Sequence, residues 1–386
     1  MKVLFTGMDW FPEKKDGGLS RYFYEEVSAF AAAGIAGLAC VSYCQPQEVG
    51  GIKVRGMAKR NASLISRWRG ARSLALRGIA DGVDVINSHF ALYTHPALRR
   101  IPENMPLVVN FQGPWSQEIL TESPGMLGQL RAAFAQRIEQ GVYARADRVI
   151  TLSEAFKTLL HRCYGVPLEL IRVISGAVDL SRFSATPERA EARRRLDWPQ
   201  NRPILLSVRR LAKRMGLDVL IEAIARVRIN HPDVLLLIGG KGEEEPILRQ
   251  KIVDLGAGEN VRLLGFIPDV DLALAYAAAD ISIVPTIALE GFGLITVESL
   301  ATGTPVLGTP IAATPEILLP LSPNLVFEGA SAADMANRIE AVLGGKVQLP
   351  DSASCREYAR RFAWGAVLPK IQNVFEEAIE EKRSPR

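Results

Sequence analysis

The chain has 386 residues, 48% of them hydrophobic and 23% charged, and this length suits two globular domains of roughly 180 residues each. No run reaches the roughly 20 apolar residues of a membrane-spanning helix, and the apolar start at residues 1–7 indicates a buried strand, not a signal peptide. The net charge of +4 is mild and the four cysteines lack zinc-ligand spacing, so we expect a cytoplasmic protein with reduced, packed cysteines.

In the first half of the chain, short continuous apolar runs alternate with longer helical patterns. Short apolar runs of this kind are typical of buried parallel strands. They predict strands at residues 2–6, 38–42, 83–87, 107–110, 148–152 and 171–174, and the longer patterns predict helices at 20–33, 128–144 and 154–164.

The pattern starts again after a polar segment at 179–202, which we interpret as an inter-domain linker. Strands are predicted at 203–207, 234–238, 261–263, 281–285, 305–308 and 325–327, with helices at 217–229, 244–255, 271–278, 294–303 and 332–343. Two successive series predict an α/β protein of two doubly wound parallel-sheet domains. Ligands of such sheets bind at the carboxyl ends of the strands, so a site is expected in a cleft between the domains.

Two glutamates, Glu290 and Glu298, flank a glycine-containing turn between a predicted strand and a predicted helix. The glycines allow close backbone approach, and the first N–H groups of the helix suit a diphosphate. A carboxylate beside a diphosphate is repelled, so Glu290 is expected to contact sugar hydroxyls and Glu298 a ribose. The alternative is a capping or surface glutamate. The donor-binding residues expected in the turn are Gly291, Phe292, Gly293, Leu294 and Ile295.

Four cations follow the strand predicted at 203–207, namely Arg209, Arg210, Lys213 and Arg214. Arginine forms forked hydrogen bonds to phosphate oxygens, and a leaving diphosphate needs such partners as its charge grows. We expect Arg210 and Arg214 to act in the reaction and Lys213 to bind the donor. The alternative is a solvated basic turn.

The first half offers weaker candidates at the ends of its predicted strands. Gly17 and Gly18 open the first helix as a backbone anion site, and His89 ends the strand at 83–87. Gln112 and Trp115 follow the next strand and are candidates for an acceptor pocket, with Trp115 as a sugar platform. Core packing is the alternative for His89 and for Trp115.

Residues 49–80 contain no Asp or Glu and eight cations, at positions 53, 55, 59, 60, 67, 69, 72 and 77. The ordinary interpretation is a solvated helix face. The alternative is a basic amphipathic surface, with Leu64, Trp68, Ala71 and Ala75 near helical spacing, that contacts anionic lipid or an anionic acceptor. Nucleic acid is not expected, because no recognition motif accompanies the cations.

Taken together, the motifs resemble those of retaining GT-B glycosyltransferases of family 4 (glycosyl transferases group 1), over nearly the full chain. Residues 173–179 with Phe183 resemble the family's linker signature, and residues 207–216 its donor-phosphate loop. Residues 265–267 resemble the loop near the base. The two glutamates at 290 and 298 match the family's E-x7-E motif, followed by matching segments at 301–306 and 314–317.

The resemblance implies two Rossmann-like domains, a metal-independent reaction without cofactor, and retention of anomeric configuration. It implies an acceptor domain at 1–178, joined by a final helix at about 364–386, and a donor domain at 179–363. It assigns Glu290 to the donor sugar, Glu298 to ribose, Arg210 to diphosphate, Phe266 to the base region, Gly17 and Gly18 to the cleft loop, and His89 to the reacting sugar.

Two positions depart from the family pattern. The family usually has lysine just before the glycine of the phosphate loop, where this chain has Met215, and Arg214 or Lys213 is a candidate replacement. Many relatives have histidine where this chain has Gln112.

The function expected from the sequence is therefore transfer of a sugar from a nucleotide sugar, UDP- before GDP-, to a saccharide, lipid-linked or small-molecule acceptor. Cytoplasmic location is expected, with peripheral contact to the inner membrane face through residues 53–77 as a further hypothesis. Two alternatives stay open: a nucleotide-sugar 2-epimerase of similar architecture, and a catalytically silent nucleotide-sugar-binding subunit.

Overall fold

The computed structural model describes residues 1–13, 18–123 and 125–384. The chain divides into two compact units. Unit 1 comprises Met1–Ala177 and Trp364–Arg386, and unit 2 comprises Val178–Ala363.

Unit 1 is built on an eight-stranded sheet of order β3-β4-β2-β1-β5-β6-β7-β8. All neighbours are parallel except β3 and β4, which pair antiparallel at one edge. The strands are β1 Lys2–Thr6, β2 Ala36–Val41, β3 Gln47–Val49, β4 Ile52–Gly56, β5 Val85–Ser88, β6 Leu107–Phe111, β7 Arg148–Thr151 and β8 Ile171–Val173.

Helices cover both faces of this sheet. Those of the first segment are α1 Gly18–Ala32, α2 Leu64–Ala80, α3 Ala91–Thr94, α4 Trp115–Glu122, α5 Met126–Arg145 and α6 Glu154–Tyr164, with 3-10 turns at His95–Arg100 and Leu168–Leu170. Local sequence sets their ends: Ser153 caps α6 by accepting from the Phe156 N–H, and Gly165 ends α6 at φ +69°. Helix starts and stops of this kind are readable from sequence.

The last helix, α16 (Trp364–Arg383), packs on unit 1. The Phe375 ring stacks on Phe30 of α1 with centroids 5.4 Å apart. Glu377 accepts hydrogen bonds from Arg148 of β7 and Arg172 of β8. Apolar packing and ion pairs thus both attach the C-terminal helix to the first sheet.

Unit 2 has a five-stranded parallel sheet of order β11-β10-β9-β12-β13. Its strands are β9 Ile204–Val208, β10 Leu235–Gly239, β11 Val261–Gly265, β12 Ile281–Val284 and β13 Val306–Gly308. Its helices are α7 Ser181–Ser184, α8 Arg189–Arg195, α9 Leu217–Val227, α10 Glu245–Asp254, α11 Asp269–Ala278, α12 Leu294–Thr302, α13 Thr314–Leu318, α14 Ala332–Leu343 and α15 Ser352–Ala359, with 3-10 turns at Lys213–Met215, Pro323–Leu325 and Arg360–Phe362.

The doubly wound α/β architecture predicted from the sequence is confirmed for both units. Strands β9, β10, β12 and β13 of unit 2 are buried along nearly their whole length, because helices cover both faces of a parallel sheet, whereas the edge strand β11 is only partly buried. The carboxyl ends of β9 and β12, which are neighbours, bring the loops that follow them to the same edge of the sheet.

Several sequence predictions were wrong. The edge strand β3 and its neighbour β4 were missed, and 325–327 is not a strand but ends a 3-10 turn, with Val326 in a single bridge to Gly308. The expected linker at 179–202 is folded: Arg193 is buried and donates to the Ala278 carbonyl at 2.9 Å and to Asp280 at 2.6 Å. Cys163 is exposed instead of packed.

Among the described residues, no helix combines the length and apolar character that a bilayer span requires.

Candidate functional site

In unit 2, a buried ion pair joins the loops that follow β9 and β12. Arg209 comes directly after β9, and its Nη2 donates to Oε2 of Glu290; each residue is only 8% exposed. The same oxygen accepts a hydrogen bond from the Thr286 hydroxyl at 2.9 Å. Glu290 is therefore fixed by two donors on one oxygen.

The charge state of Glu290 follows from these partners. Burial alone would raise the pKa of Glu290, but the charge and hydrogen bond of Arg209, with the Thr286 hydrogen bond and the charge of Arg214, hold it below its usual range. Among the described residues, no hydrogen bond reaches the second oxygen, Oε1. Glu290 is thus an ionised carboxylate with one acceptor oxygen available to a ligand hydroxyl.

The other cations of the loop are placed differently. Arg210 and Lys213 are exposed, whereas Arg214 is half-buried and its Nη1 donates to the Leu289 carbonyl at 2.8 Å. The Arg214 carbonyl in turn accepts from the Ile287 N–H at 3.0 Å. Arg214 therefore ties the loop after β9 to the loop before Glu290.

The glycine-containing turn leads into α12 as the sequence indicates. Gly293 adopts φ +81°, and a Cβ there would lie 3.3 Å from the Thr296 hydroxyl and 3.6 Å from Glu290 Oε1. The first N–H groups of an α-helix have no intrahelical acceptors, and this helix has no side-chain cap. Three residues of the turn are half-buried, namely Gly291, Leu294 and Ile295. Phe292 is buried, and its ring centroid lies 5.5 Å from that of Phe362.

Glu298 lies inside α12 and is only 6% exposed. Its Oε2 accepts a hydrogen bond from the Tyr276 hydroxyl of α11 at 3.1 Å. Burial first, and then the charge and hydrogen bond of Glu298, raise the pKa of Tyr276 well above its usual value, so Tyr276 is a neutral donor. Phe266, after β11, is 42% exposed, with the Lys241 ammonium 5.7 Å from its ring centroid.

In unit 1, His89 belongs to a buried polar network at the end of β5. Its Nε2 lies 2.8 Å from Oε1 of Glu26, and its Nδ1 lies 3.0 Å from the Gln112 amide nitrogen. A carboxylate only accepts, so Nε2 carries the hydrogen and Nδ1 accepts from Gln112. Asn87 also donates to Glu26 at 2.7 Å. The network holds the His89 ring and brings together two of the candidate site residues from the sequence, His89 and Gln112.

Trp115 opens helix α4, and a buried carboxylate holds that helix start. Glu139 of α5 accepts from the N–H groups of Trp115 at 3.0 Å and Ser116 at 3.2 Å, and from the Tyr164 hydroxyl at 3.0 Å. Burial raises the pKa of Glu139, and these hydrogen bonds reduce that rise. The Trp115 ring packs 5.4 Å from that of Phe90.

Trp115 also lines a cavity of about 420 Å³, formed with Leu64, Leu92, Ile119, Glu122, Ser123, Arg131 and Phe134. His89 is not among its lining residues. Gln112 does not line this cavity either.

The basic stretch at 53–77 covers β4 and helix α2. Ala71 and Ala75 are buried in the core and Trp68 is half-buried, so the expected apolar face packs inward and is not a free surface. Leu64 and Ile65, at the start of α2, are instead 41% and 64% exposed.

Of the two glycines predicted at the first helix, Gly18 begins α1 and is exposed. Gly17 lies outside the described residues. Within the described ranges, no group of three His, Cys, Asp or Glu side chains is arranged to hold a metal ion.

Sequence reasoning missed Arg209 as a buried residue, and it missed Glu26 and Tyr276 entirely. A signal for Glu26 was present: it falls on the same helical face as Phe23, Val27 and Phe30, all buried. A charged residue on an apolar helix face indicates a buried polar partner. No comparable signal distinguishes Arg209 from Arg210, because the two are adjacent in one loop.

Comparison with known proteins identifies the family. A sequence profile of Glycosyltransferase Family 4 matches residues 16–182, and one of Glycosyl transferases group 1 matches residues 188–362. The D-inositol 3-phosphate glycosyltransferase of Corynebacterium kroppenstedtii is 31% identical over 255 residues, 63% of this chain and 56% of its own length. The enzyme of the same name from Geodermatophilus obscurus is 33% identical over 258 residues, which are 63% of this chain and 55% of that protein. The match thus spans little more than half the length of these relatives.

Solved structures share the fold over nearly the whole chain. Sucrose-phosphate synthase of Thermosynechococcus elongatus superposes with a TM-score of 0.80 at 21% identity, covering 99% of this chain and 100% of that one. HepE of Anabaena, solved in complex with UDP-glucose, superposes with a TM-score of 0.76 at 20% identity. The superposition covers 98% of this chain and 100% of HepE. The chain belongs to family 4 of the glycosyltransferases, group 1, and its two units are the Rossmann-like domains of a GT-B fold.

Proposed function

We propose that the protein transfers a sugar from a nucleoside-diphosphate sugar to an acceptor hydroxyl, with retention of anomeric configuration and without a metal ion. The observation that carries the proposal is the edge of the unit 2 sheet, where one carboxylate oxygen of Glu290, beside the start of α12, receives no hydrogen bond from the part of the chain that the structure describes. A hydroxyl-bearing sugar suits the carboxylate, and a diphosphate suits the helix N-terminus and the cations after β9.

A UDP-sugar is the first donor to test. HepE, which shares the fold, has been solved with UDP and with UDP-glucose. Glu298 is the residue proposed to bind the ribose of the nucleotide. Its carboxylate is positioned by the hydrogen bond from Tyr276, and carboxylates in dinucleotide-binding folds accept hydrogen bonds from ribose hydroxyls. GDP-sugars are the second donors to test.

The proposed reaction is a displacement at the anomeric carbon. The bond from that carbon to the phosphate oxygen breaks, and the departing diphosphate takes the electron pair and gains one negative charge. The acceptor hydroxyl forms the new bond on the same face, and its proton passes to an oxygen of the departing phosphate. Arg210, Lys213 and Arg214, with the N-terminus of α12, stabilise the added charge, which supports a reaction that needs no metal.

The polar groups that follow β5 and β6 in unit 1 are proposed to contact sugar hydroxyls. The hydrogen bonds from Glu26 and Gln112 hold the His89 ring in one orientation, which a group that meets a sugar hydroxyl requires. Gln112 and Trp115 are proposed as acceptor residues, and the cavity beside Trp115 is large enough for one sugar ring or part of an acyl chain.

An anionic acceptor is favoured by charge and by the relatives. The relatives described above are named D-inositol 3-phosphate glycosyltransferases, and inositol 3-phosphate is an anionic, hydroxyl-bearing molecule. Residues Lys59, Arg60, Arg69 and Arg72 are exposed beside Leu64 and Ile65. Such a surface also suits anionic lipid. If the protein fails to pellet with anionic vesicles at low salt, while vesicles of neutral lipid serve as control, the membrane contact is excluded.

The transferase proposal is tested by NMR with UDP- and GDP-sugars, each with and without acceptors including inositol 3-phosphate. Transfer with retained anomeric configuration, unaffected by EDTA, is the expected result. Donor isomerisation without acceptor would instead identify an epimerase, and nucleotide binding without turnover a silent subunit. Arg210→Ala is expected to lower kcat/KM at least about tenfold, since a charge-assisted contact is worth about 2 kcal/mol. Arg226→Ala, on the exposed face of α9, is the matched control.

A further inference from the structure

We propose that Arg209 supplies the buried positive charge of the donor site and binds the phosphate next to the transferred sugar, replacing the lysine that the family usually has at the position of Met215. The proposal rests on the transferase function proposed above. It assigns the role to Arg209 instead of the neighbouring cations Lys213 and Arg214, which the sequence suggested.

The first argument is the position of the guanidinium. Arg209 Nη2 lies 2.9 Å from the sulfur of Met215 and is paired with Glu290. The arginine head therefore lies against the side chain of residue 215 and on the carboxylate proposed to contact the sugar. A lysine at 215 is one atom longer than methionine, so its ammonium would compete for the space that the guanidinium now fills.

The second argument is an unsatisfied donor. Arg209 Nη1 is buried and has no hydrogen-bond partner among the described residues. Buried polar groups in native proteins nearly always have partners, so an orphan next to a proposed binding carboxylate indicates an acceptor that arrives with the ligand. Phosphate oxygens fit, because guanidinium donors match them in a forked geometry.

The third argument is the state of the other two candidates. Lys213 is exposed, and Arg214 uses its Nη1 to hold the Leu289 carbonyl. Arg209 is the one of the three whose charge is buried at Glu290. A cation that is already desolvated and held by a carboxylate acts on a phosphate more strongly than one in water.

A competing explanation is that Arg209 only neutralises Glu290 and never meets a ligand. Four variants separate the two roles: Arg209→Met, Arg209→Met with Met215→Lys, Arg209→Met with Glu290→Gln, and Glu290→Gln alone. Arg226→Met, which removes one exposed cation of the same unit, is the control. The readouts are calorimetric titration with UDP, GDP and ADP, and thermal unfolding of each variant.

If Arg209 binds the phosphate, Arg209→Met weakens binding of the preferred nucleotide at least about tenfold, and adding Met215→Lys restores it to within about threefold. Arg209→Met with Glu290→Gln regains thermal stability, because no buried charge is left alone, but stays weak in binding. Glu290→Gln alone is the reference for the double variant, which is expected to bind the nucleotide at least about tenfold more weakly than this single variant.

The proposal is overturned if Arg209→Met with Glu290→Gln binds the nucleotide as tightly as wild type, or if Met215→Lys fails to rescue a folded Arg209→Met protein. The two proposals fail separately: a wild-type protein that binds none of the three nucleotides refutes the donor site itself. Wild-type binding that survives Arg209→Met refutes only the assignment of Arg209.

Discussion

Replacing Glu26 with alanine is expected to destabilise unit 1 by about 4 kcal/mol, far more than a typical glutamate of helix α1. Glu26 is fully buried, and its Oε1 accepts hydrogen bonds from His89 at 2.8 Å and from Asn87 at 2.7 Å. Alanine removes the acceptor and leaves two buried donors without it.

The magnitude follows from the number of groups affected. Each buried donor left without a partner costs about 1–3 kcal/mol, with about 2 kcal/mol as the middle of that range. Two such donors give about 4 kcal/mol. For a unit of this size, each kcal/mol shifts the unfolding midpoint by roughly 2–4 °C, so a decrease of roughly 8–16 °C is expected.

Scanning calorimetry and urea unfolding measure the effect, with Glu25→Ala as the matched control. Glu25 is the adjacent residue of the same helix, and its carboxylate accepts from Trp364 Nε1 at 3.2 Å in a part-buried bond. Its loss is expected to cost about 1 kcal/mol. Glu26→Gln keeps one acceptor oxygen and is expected to lose less than half of what alanine loses.

The reasoning is refuted if Glu26→Ala unfolds no earlier than Glu25→Ala. It is also refuted if hydrogen exchange near the end of β5 is unchanged in Glu26→Ala, because the network would then not hold that strand end.

Three other predictions concern the helix starts and the buried carboxylates. Gly293→Ala is expected to cost about 1–2 kcal/mol, because φ +81° is unfavourable with a Cβ, and to weaken sugar-donor binding in titrations by crowding Glu290. Glu139→Ala is expected to lose about 3 kcal/mol in urea unfolding and to raise the protease sensitivity of α4, whose first N–H groups lose their acceptor. Since the pKa of Glu290 is lowered in the folded chain, its pairing contributes stability above the unfolded pKa of about 4.3, and this is lost as pH falls through the folded pKa. The stability difference between wild type and Glu290→Gln should therefore shrink from neutral to acid pH, and a constant difference would contradict the assigned ionisation.

Much of the secondary structure could be predicted from the sequence alone. Strand β1 and helices α6 and α14 have the bounds that the sequence predicted, because their apolar periods and caps lie within the segments themselves. The edge strand β3 and its neighbour β4 were missed, since Gln47–Val49 is short and partly exposed and pairs only with β4. The expected linker was wrong for a similar reason: Arg193 becomes a core residue only through Asp280, 87 positions away.

The sequence by itself predicted the class of site, from two glutamates around a glycine turn and cations after a strand, and it placed the chain in its family. Which cation meets Glu290 depended on tertiary structure. Arg209 and Arg210 are adjacent in one loop, but the first is buried on Glu290 and the second is exposed. Sequence spacing does not encode that choice, because it depends on how a loop after β9 meets a turn some 80 residues further on, after β12. The ends of β9 and β12 lie side by side, and this arrangement buries Arg209 against Glu290. The lowered pKa of Glu290 and the unsatisfied Nη1 of Arg209 both follow from it.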